Sequence, residues 1–324
     1  MKRILLIGGA GFIGHHLALA LKDDGHDVEI LDDLVVNNFH EHKDKDPRHL
    51  EFLSERLSLI RAAKIPLMIE DARNYDVVCA TIRRFRPNVV VHLAAVAHAD
   101  KSNKDPYSTF DHSLRTLENA LDASSKLVDH FIYLSSSMAY GDFPGGIATE
   151  ETPLNPKGQY GRLKQCGEIM VRGYAESHAL PITIIRPSAL YGERCVSRRV
   201  VQVFIENAMA GKPVIVKGDG ALDFTYIGDL VNGIDRAILT GPTNETFNMT
   251  YGRARTVAEV AAIVRNAFPG VDVRIEPRDT LMPERGTLNV DKARRLLGYR
   301  PVFPIEAGIL RYIDWYRKRK AKAA

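Results

Sequence analysis

The feature that most constrains the fold is a glycine-rich turn that directly follows the first apolar run of the chain. The run Ile4–Ile7 has the length of a buried strand, and a helical pattern begins soon after it. Glycines spaced by three allow a tight turn, a close approach of backbone to a pyrophosphate, and packing of helix on strand. We therefore expect a strand-turn-helix unit that binds a dinucleotide. The residues expected at its pyrophosphate are Gly8, Gly11, Phe12, Ile13 and Gly14.

An acidic residue at the end of the second apolar run strengthens this prediction. Asp32 follows Val28–Leu31 and lies about 18 residues after Gly14. A carboxylate at that point accepts hydrogen bonds from both ribose hydroxyls and repels a 2′-phosphate, so NAD rather than NADP is the expected cofactor. Asp33 is adjacent and is a candidate to share this role.

Two further stretches fit the same dinucleotide site. Asp71 and Ala72 follow the third apolar run, where the adenine edge is expected. Small residues at the end of the fourth run allow a cofactor to lie close to the backbone, although simple packing explains the alanines equally well. That stretch is Leu93, Ala94 and Ala95.

Short apolar runs alternate with helical patterns through the first half of the chain. Such unalternating runs are typical of a parallel sheet that is covered on both faces. They are Ile4–Ile7, Val28–Leu31, Leu67–Ile69, Val89–Leu93, Phe131–Leu134 and Ile182–Ile185. Helices are predicted at about 12–24, 48–63, 74–85, 108–126 and 157–178. This order predicts an α/β fold with a Rossmann-type, doubly wound parallel sheet.

The pattern loosens after residue 187, so we expect two domains. Residues 1–187 form the predicted NAD-binding domain, with segments near 225–250 as candidates to return to it, and residues 188–324 form a smaller mixed domain for substrate. Further helices are predicted near 198–211, 228–240, 256–267, 291–297 and 305–319. Further strands are predicted at Val214–Val216, Phe247–Met249 and 272–275.

A tyrosine and a lysine four residues apart form the second informative motif. Tyr160 and Lys164 lie on one face of the predicted helix, where the ammonium can reach the phenol. A cation about 4 Å away, at an effective dielectric near 20, contributes roughly 4 kcal/mol, or about three pKa units. We therefore expect the pKa of Tyr160 to be lowered toward neutral pH. Taken alone, the spacing also fits an ordinary amphipathic helix.

Composition and charge exclude several classes of protein. The net charge of +4 lies partly in the C-terminal run Arg317–Lys322, which a solvated helix end explains better than a nucleic-acid surface. The three cysteines, Cys79, Cys166 and Cys195, are too widely spaced for a zinc site or a disulfide framework. No stretch approaches the roughly 20 apolar residues that cross a bilayer. We expect a soluble cytoplasmic protein without a membrane or nucleic-acid partner.

The polar segment 33–49 contains three histidines, His40, His42 and His49. A metal site is one interpretation, but no carboxylate or cysteine spacing supports it. An exposed loop without a metal is the expectation for this segment.

Motifs spread over nearly the whole chain match one known pattern. They are Gly8-x-x-Gly11-x-x-Gly14, Asp32, Asp71, His92-Leu93-Ala94-Ala95, Ser135 to Gly141, Tyr160-x-x-x-Lys164, Arg186 to Gly192, Asp223 to Ile227, and Lys292 to Tyr299. In these motifs the chain resembles the extended short-chain dehydrogenase/reductase family, in its nucleotide-sugar epimerase and dehydratase branch. The resemblance implies NAD as cofactor, a nucleoside-diphosphate sugar as substrate, and a homodimer packed through the helices near 108–126 and 157–178.

The resemblance also implies a catalytic triad of Ser136, Tyr160 and Lys164. In such a triad the serine orients the sugar toward the tyrosine, and the lysine contacts the nicotinamide ribose. Pro187 is implied at the cofactor as well. The residues implied around the sugar are Ser136, Ser137, Met138 and Ser188.

The two residues that directly follow the triad serine favour one reaction within this branch. Dehydratases of the family place an acid pair there, sugar-acid decarboxylases a glutamate, and reductive 3,5-epimerases a cysteine. This chain has Ser137 and Met138, which cannot act as acid or base at neutral pH. The expected reaction is therefore 4-epimerisation, in which Tyr160 takes the proton of the C4 hydroxyl and the 4-keto sugar is reduced on its other face.

Several departures from the family pattern concern the substrate. Ala189 and Leu222 stand where many epimerases have an asparagine and an arginine on the diphosphate. The family asparagine of the helix 108–126 is replaced within the stretch Asp111, His112 and Ser113. Since arginine suits phosphate geometry, replacement contacts are expected from other arginines. The candidates are Arg194, Arg198, Arg199 and Arg285.

Two alternatives to the 4-epimerase remain open at this point. One is a dehydratase or oxidoreductase that acts on an unusual nucleotide sugar. The other is a non-catalytic NAD-binding protein, which would not need Ser136, Tyr160 and Lys164 together.

Overall fold

The computed structural model describes residues 1–42, 47–96, 99–218, 220–277 and 283–323. Within these residues, seven parallel strands form the central sheet in the order β7-β6-β5-β4-β1-β2-β3. They are β1 (Arg3–Ile7), β2 (Asp27–Leu31), β3 (Leu67–Met68), β4 (Val89–His92), β5 (His130–Leu134), β6 (Ile182–Arg186) and β7 (Glu245–Asn248). The predicted Rossmann-type sheet is confirmed. Strand order reverses between β1 and β4, and ligands bind at such a reversal, beyond the carboxyl ends of the strands.

Helices cover both faces of the sheet. They are α1 (Phe12–Asp23), α2 (Phe39–His42), α3 (Pro47–Ala62), α4 (Tyr75–Phe85), α5 (Ala99–Lys104), α6 (Pro106–Phe110), α7 (Thr116–Ser124), α8 (Gly158–His178), α9 (Val200–Met209), α10 (Ile227–Thr240), α11 (Val257–Ala267), α12 (Asp291–Leu297) and α13 (Ile305–Ala323). Alternate residues of β1 enter different cores: Ile4 and Leu6 pack with α1 and α3, whereas Leu5 and Ile7 pack with α4 and α7. The strand is a continuous apolar run because both of its faces are buried.

The predicted helix 108–126 is divided by one turn of π-helix at Asp111–Arg115, which joins α6 to α7. A π-turn rotates the following side chains relative to a regular α-helix, and such turns are frequent at functional sites. Here the turn carries Asp111, His112 and Ser113, the stretch in which the family asparagine is replaced.

The second half of the chain adds α9 to α13 and short paired strands around the carboxyl end of the sheet. The pairs are Leu190–Tyr191 with Thr225–Tyr226, Val214–Lys217 with Val273–Glu276, Ala221–Leu222 with Arg255–Thr256, and Ile147–Ala148 with Thr287–Leu288. The segment near 225–250 contributes β7 to the central sheet, next to β6. The second half of the chain therefore also contributes to the central sheet.

The prediction of an exposed loop over 33–49 is wrong in part. A short helix, α2, lies within it, and α3 begins at Pro47. His49 is buried inside α3, with Nε2 3.2 Å from Gln202 Nε2 and 3.6 Å from a carboxylate oxygen of Glu206. Residues 43–46 lie outside the described part of the chain. Among the described residues, no group of three or more histidine, cysteine or acidic side chains is arranged to hold a metal ion.

The basic C-terminal run is partly packed against the fold. Arg319 pairs with Glu55 and lies 3.8 Å from Glu51, and its guanidinium lies 4.8 Å from the Trp315 ring centroid. These contacts join α13 to α3, so this arginine has a structural role. Across the helices that the structure describes, none combines the length and apolarity that crossing a membrane requires.

A buried ion pair joins α8 to the central sheet. The Arg186 guanidinium donates two hydrogen bonds to the Glu168 carboxylate, from Nε at 2.8 Å and from Nη2 at 2.5 Å. Ser135 donates to the same carboxylate, and Arg186 donates to the Tyr140 hydroxyl, which in turn donates to Asn248. Because each charge is satisfied by several partners, this network fixes the helix relative to β5, β6 and β7.

We expect Arg186→Met to lower the free energy of unfolding by about 3–5 kcal/mol, because it leaves the Glu168 carboxylate buried without its cation. Denaturant unfolding followed by circular dichroism measures the effect. Arg274→Met is the matched control, since the pair of Arg274 with Asp272 is exposed and contributes at most about 1 kcal/mol. A loss below about 1 kcal/mol for Arg186→Met would contradict the structural role assigned to this pair.

Candidate active site

A cavity of about 110 Å³ lies beyond the carboxyl ends of β1, β2 and β4, and we name it the glycine-turn cavity. It is lined by Gly8, Gly11, Phe12, Ile13, Gly14, Leu31, Asp32, Asp33, Val36, Asn37, Arg56, Asp71, Ala72, Leu93, Ala94, Ala95, His112, Thr116, Ser197 and Arg199. The structure thus brings together the residues predicted for the dinucleotide in the glycine turn, after β2, after β3 and after β4.

Two glycines of the turn have no room for a side chain. A Cβ atom on Gly8, whose φ is +79°, would lie 2.6 Å from the backbone nitrogen of Ala94. A Cβ atom on Gly14 would lie 2.5 Å from the Cα atom of Gly9, which allows α1 to begin directly against the turn. Gly11 precedes α1 and supplies no side-chain cap to its first N–H groups. Those N–H groups and the positive end of the helix fit a phosphate.

Asp32 is held in place by two backbone N–H groups. Ala10 donates to one carboxylate oxygen at 2.9 Å and Leu34 donates to the other at 2.8 Å. Burial raises the pKa of Asp32 to about 6, while these two hydrogen bonds act in the opposite direction. Each oxygen keeps a second lone pair, so the carboxylate can accept ribose hydroxyls when it is ionised.

The other predicted acidic residues also line the glycine-turn cavity. Asp33 accepts a hydrogen bond from the backbone nitrogen of Val35 at 3.0 Å. Asp71 is paired with Arg73, whose Nη2 lies 2.7 Å from a carboxylate oxygen. Burial acts to raise the pKa of Asp71, but the hydrogen bonds and charge of Arg73 outweigh it and lower that pKa. Asp71 therefore stays ionised at the edge of the cavity.

A second cavity, of about 360 Å³, adjoins the first, and we name it the Tyr160 cavity. Its lining residues are Ile13, Leu93, Ala95, Leu134, Ser135, Ser136, Ser137, Met138, Tyr160, Lys164, Pro187, Ser188, Ala189, Leu190, Arg198, Arg199, Val200, Val201, Leu222, Phe224 and Arg285. The residues shared by both cavities are Ile13, Leu93, Ala95 and Arg199. A molecule in one cavity can therefore contact a molecule in the other.

Ser136, Tyr160 and Lys164 converge in the second cavity. Ser136 begins a turn of 3₁₀-helix after β5, and its hydroxyl oxygen accepts a hydrogen bond from the Met138 nitrogen at 3.2 Å. The same hydroxyl lies within hydrogen-bonding reach of the Tyr160 phenol. Gly161 allows this approach, because a Cβ atom there would lie 2.5 Å from the carbonyl oxygen of Met138.

The expected lowering of the Tyr160 pKa by Lys164 is wrong for this structure. Burial is the largest effect and raises the pKa of Tyr160. Arg199, the Ser136 hydroxyl and Arg285 act in the opposite direction without outweighing burial. The Lys164 ammonium instead donates to the carbonyl oxygen of Leu134 at 2.6 Å. In the protein without ligands, the phenol is therefore protonated at neutral pH.

Lys164 is itself buried, with 6% of its surface exposed. Burial lowers its pKa to about 8, and the Glu168 carboxylate one helical turn further along α8 partly opposes that shift. The ion pair that fixes α8 therefore also keeps Lys164 largely cationic at neutral pH.

Three polar side-chain atoms in the Tyr160 cavity lack a hydrogen-bond partner within the described chain. They are Ser137 Oγ, Ser188 Oγ and Arg199 Nε. The two serines are neighbours, because the Ser137 nitrogen donates to the carbonyl oxygen of Pro187 at 2.9 Å. Buried polar groups are nearly always paired, so these atoms fit a ligand that carries several hydrogen-bond acceptors.

The arginines predicted to replace diphosphate contacts fall into two groups. Arg198, Arg199 and Arg285 line the Tyr160 cavity. Arg194 is absent from the described lining of both cavities, because its guanidinium contacts His15, His16 and Glu55 instead. The structure therefore does not bring Arg194 to the expected substrate site.

Ala189 and Leu222 line the Tyr160 cavity, as does Met138. The φ angle of Ala189 is +38°, a conformation that asparagine tolerates better than alanine does. Both residues contribute apolar surface where family members commonly supply polar contacts. His112, on the π-turn, lines the other cavity, where burial lowers its pKa.

Several residues of the glycine-turn cavity were not predicted from the sequence, among them Arg56, Ser197 and Thr116. For Arg56, the sequence contains a pattern that indicates a buried position. Arg56 falls at helical spacing with the apolar residues Phe52 and Ile60, so it occupies a core position on α3. No comparable signal distinguishes Ser197 or Thr116.

Comparisons with known proteins identify the family of the chain. Residues 4–250 match the model of the NAD dependent epimerase/dehydratase family. The chain is 28% identical to a dTDP-glucose 4,6-dehydratase of Neisseria gonorrhoeae over 99% of this chain and 97% of that protein. It is also 28% identical to a putative UDP-glucose 4-epimerase of Methanocaldococcus jannaschii over 97% of this chain and 98% of that protein.

A solved structure with bound NAD has a similar fold. The UDP-glucose 4-epimerase of Thermus thermophilus, in complex with NAD, superposes with a TM-score of 0.84 and 28% identity. The superposition covers 97% of this chain and 99% of that one. The fold and the NAD-binding class are thereby established, whereas epimerase and dehydratase relatives are equally similar in sequence.

NAD affinity is expected to fall about tenfold per pH unit below about pH 6. Ribose hydroxyls need the ionised Asp32, whose pKa in the free protein is about 6, so a proton competes with NAD below that pH. Isothermal titration at about pH 5 and about pH 8 measures the change. Asp32→Asn should bind NAD more weakly at about pH 8 and lose the pH dependence; a variant that keeps both affinity and pH dependence would refute this role.

Proposed function

Because the chain belongs to the NAD-dependent epimerase/dehydratase family, we propose that it is a nucleotide-sugar 4-epimerase. The observation that carries this proposal is the presence of a single tyrosine acid/base in the Tyr160 cavity. Among the described residues that line this cavity, there is no aspartate, glutamate, histidine or cysteine. An inversion at C4 needs one such group only.

Dehydration makes a different demand on the site. Loss of water from a 4-keto sugar removes a proton from one carbon and protonates a leaving hydroxyl, which takes a second acid/base pair. Ser137 and Met138 occupy the positions where that pair is found in dehydratases, and both are buried in the cavity wall. A dehydratase remains the alternative because relatives of both kinds are equally similar.

The residues of this chain have distinct tasks in the proposed reaction. Bound NAD would supply the hydride acceptor and donor, held by the glycine turn, Asp32 and Lys164. The Tyr160 oxygen removes the proton of the C4 hydroxyl and returns it after the sugar has turned over. Ser136 directs that hydroxyl toward the phenol by a hydrogen bond. Lys164 is buried on the same face of α8, and its ammonium would favour the phenolate if it turned from the Leu134 carbonyl toward Tyr160.

The rest of the Tyr160 cavity suits a nucleoside-diphosphate sugar. Arg198, Arg199 and Arg285 supply positive charge for a diphosphate. Ser137 and Ser188 offer hydroxyls for the sugar, and their lack of other partners within the described chain favours a ligand with several oxygen atoms. Leu222 and Ala189 leave apolar surface beside these groups, so the diphosphate contacts differ from those of relatives with arginine and asparagine there.

The function is tested by incubating the NAD-loaded protein in deuterium oxide with UDP-, GDP-, CDP- and dTDP-sugars. We expect a product of unchanged mass with a new C4 signal in NMR and no deuterium on carbon, because hydride returns from the cofactor rather than from solvent. Loss of the mass of one water, with deuterium at C5, would identify a dehydratase and refute the epimerase.

Two tyrosine variants serve as controls for this experiment. Tyr160→Phe should retain NAD and lose at least about a hundredfold in turnover, which is the usual contribution of one general acid/base. Tyr251→Phe should leave turnover unchanged, because Tyr251 lies outside α6 and α8 and outside the described lining of both cavities. Full turnover by Tyr160→Phe would exclude this phenol as the base.

We also propose that the chain forms a homodimer through α6 and α8. Tyr107, Phe110 and Ile169 lie exposed on these two helices, which pack against each other. Large apolar side chains exposed on neighbouring helices favour association with another copy. The family resemblance points to the helices near 108–126 and 157–178, which include the end of α6 and all of α8.

Ile169→Glu is expected to convert the dimer to a monomer, because it introduces a charge into an apolar contact. Sedimentation velocity measures the change in mass. Leu310→Glu is the control, since Leu310 is half-exposed on α13, away from the proposed interface, and should leave the dimer intact. A wild-type protein that sediments as a monomer would refute the dimer.

A further inference from the structure

Arg56 is a buried arginine in the wall of the glycine-turn cavity. Only 1% of its surface is exposed, and it lies on the apolar face of α3 between Phe52, Leu53 and Ile60. A guanidinium at such a position is costly unless its donors are satisfied, since burial disfavours the charged form. The position therefore requires a partner that compensates the charge.

The partners within the described chain satisfy only one edge of this guanidinium. Nε and Nη2 of Arg56 donate to the carbonyl oxygen of Arg194, at 3.2 Å and 2.5 Å. Nη1 is buried and has no hydrogen-bond partner among the described residues. Burial lowers the pKa of Arg56 to about 10, and the nearby Arg194 acts in the same direction.

The charged groups around Arg56 do not provide the missing partner. Arg194 contacts His15 and His16, and these side chains are cationic or neutral. Cys195 and Tyr312 also act on Arg56, but burial raises the pKa of each, so both are neutral. Asp32 is near enough to affect the pKa of Arg56, but its carboxylate accepts hydrogen bonds from Ala10 and Leu34. An anion from outside the chain therefore fits the open edge of the guanidinium.

We propose that Arg56 Nη1 binds a phosphate oxygen of the dinucleotide. The cavity that Arg56 lines is the one formed by Gly8, Gly11 and Gly14, where the N-terminus of α1 also offers N–H groups. An arginine and a helix N-terminus together form a site for a pyrophosphate. This assignment concerns cofactor binding, so it does not depend on whether the enzyme epimerises or dehydrates its substrate.

Arg56 also connects the cofactor to the substrate side of the site. Its bond to the Arg194 carbonyl holds the segment Glu193–Arg199, which we name the strap. Two residues of the strap, Arg194 and Arg198, have positive φ angles of +61° and +50°, a conformation that needs support from its surroundings. The strap contributes Ser197 to the glycine-turn cavity and Arg199 to both cavities. The guanidinium thus joins the phosphate site to the segment that faces the substrate.

The test is Arg56→Met, compared with Arg61→Met, which removes an exposed arginine of the same helix. Isothermal titration of each protein with NAD, NADP, ADP, 2′,5′-ADP and adenosine, together with thermal melting of the ligand-free proteins, separates the possible roles. We expect Arg56→Met to weaken NAD and ADP by about ten- to a hundredfold and to leave adenosine binding unchanged. Its melting temperature without ligand should stay close to that of the wild type, because removal of a buried, partly unpaired charge offsets the loss of the bonds to the Arg194 carbonyl.

Three results would overturn the assignment. One is ADP affinity equal to that of the wild type. Another is an equal loss for adenosine and ADP, which would indicate a general disturbance of the cavity. The third is a loss confined to NADP and 2′,5′-ADP, which would place the bound phosphate on the ribose. If Arg56→Met does not fold, Arg56→Gln is used with the same expectations, because its amide retains a donor for the Arg194 carbonyl.

Discussion

The buried ion pair between Glu168 and Arg186 fixes the geometry on which the site depends. Tyr160, Lys164 and Glu168 recur every four residues of α8, so they share one face of the helix. The last of them is tied to the end of β6 and, through Ser135, to the end of β5. Two charges taken out of water are costly by themselves, and here the many hydrogen bonds offset that cost. The network therefore fixes the positions of Tyr160 and Lys164 more tightly than the packing of apolar side chains alone does.

Much of the fold could be predicted because its signals are local. β1 is an unbroken apolar run, since Leu5 and Leu6 face different helical layers and both are fully buried. Gly8 and Gly14 were identifiable because the backbone geometry of the turn excludes any side chain. Asp32 followed from its distance along the chain to that turn. Each of these inferences needed only the sequence near one strand and general rules for parallel sheets.

What could not be predicted depends on contacts between distant parts of the chain. The pKa of Tyr160 is raised because the assembled cavity excludes water, and Lys164 points to the Leu134 carbonyl instead of the phenol. The spacing of Tyr160 and Lys164 shows that the ammonium could reach the phenol. It predicts neither the hydrogen-bond partner of the ammonium nor the burial of the phenol. Arg194 was a reasonable phosphate ligand by residue type, yet the fold directs it to His15 on α1.

The charges around Tyr160 impose a limit on how it acts. In the free protein, Arg199 and Arg285 are the cations that favour its phenolate. Both line the cavity in which a substrate diphosphate is proposed, and an anion bound there would cancel much of their effect. Support for the phenolate in the complex must then come from a cation that the diphosphate does not neutralise. Among the cations of the described cavity lining, Lys164 is the one that we expect to take this role, because it lies on the same helix face as Tyr160 and Glu168 supports its charge. In this structure the ammonium donates to the Leu134 carbonyl, so we expect that bond to weaken when the substrate binds. Burial lowers the pKa of Lys164 to about 8 and therefore already disfavours its charged form.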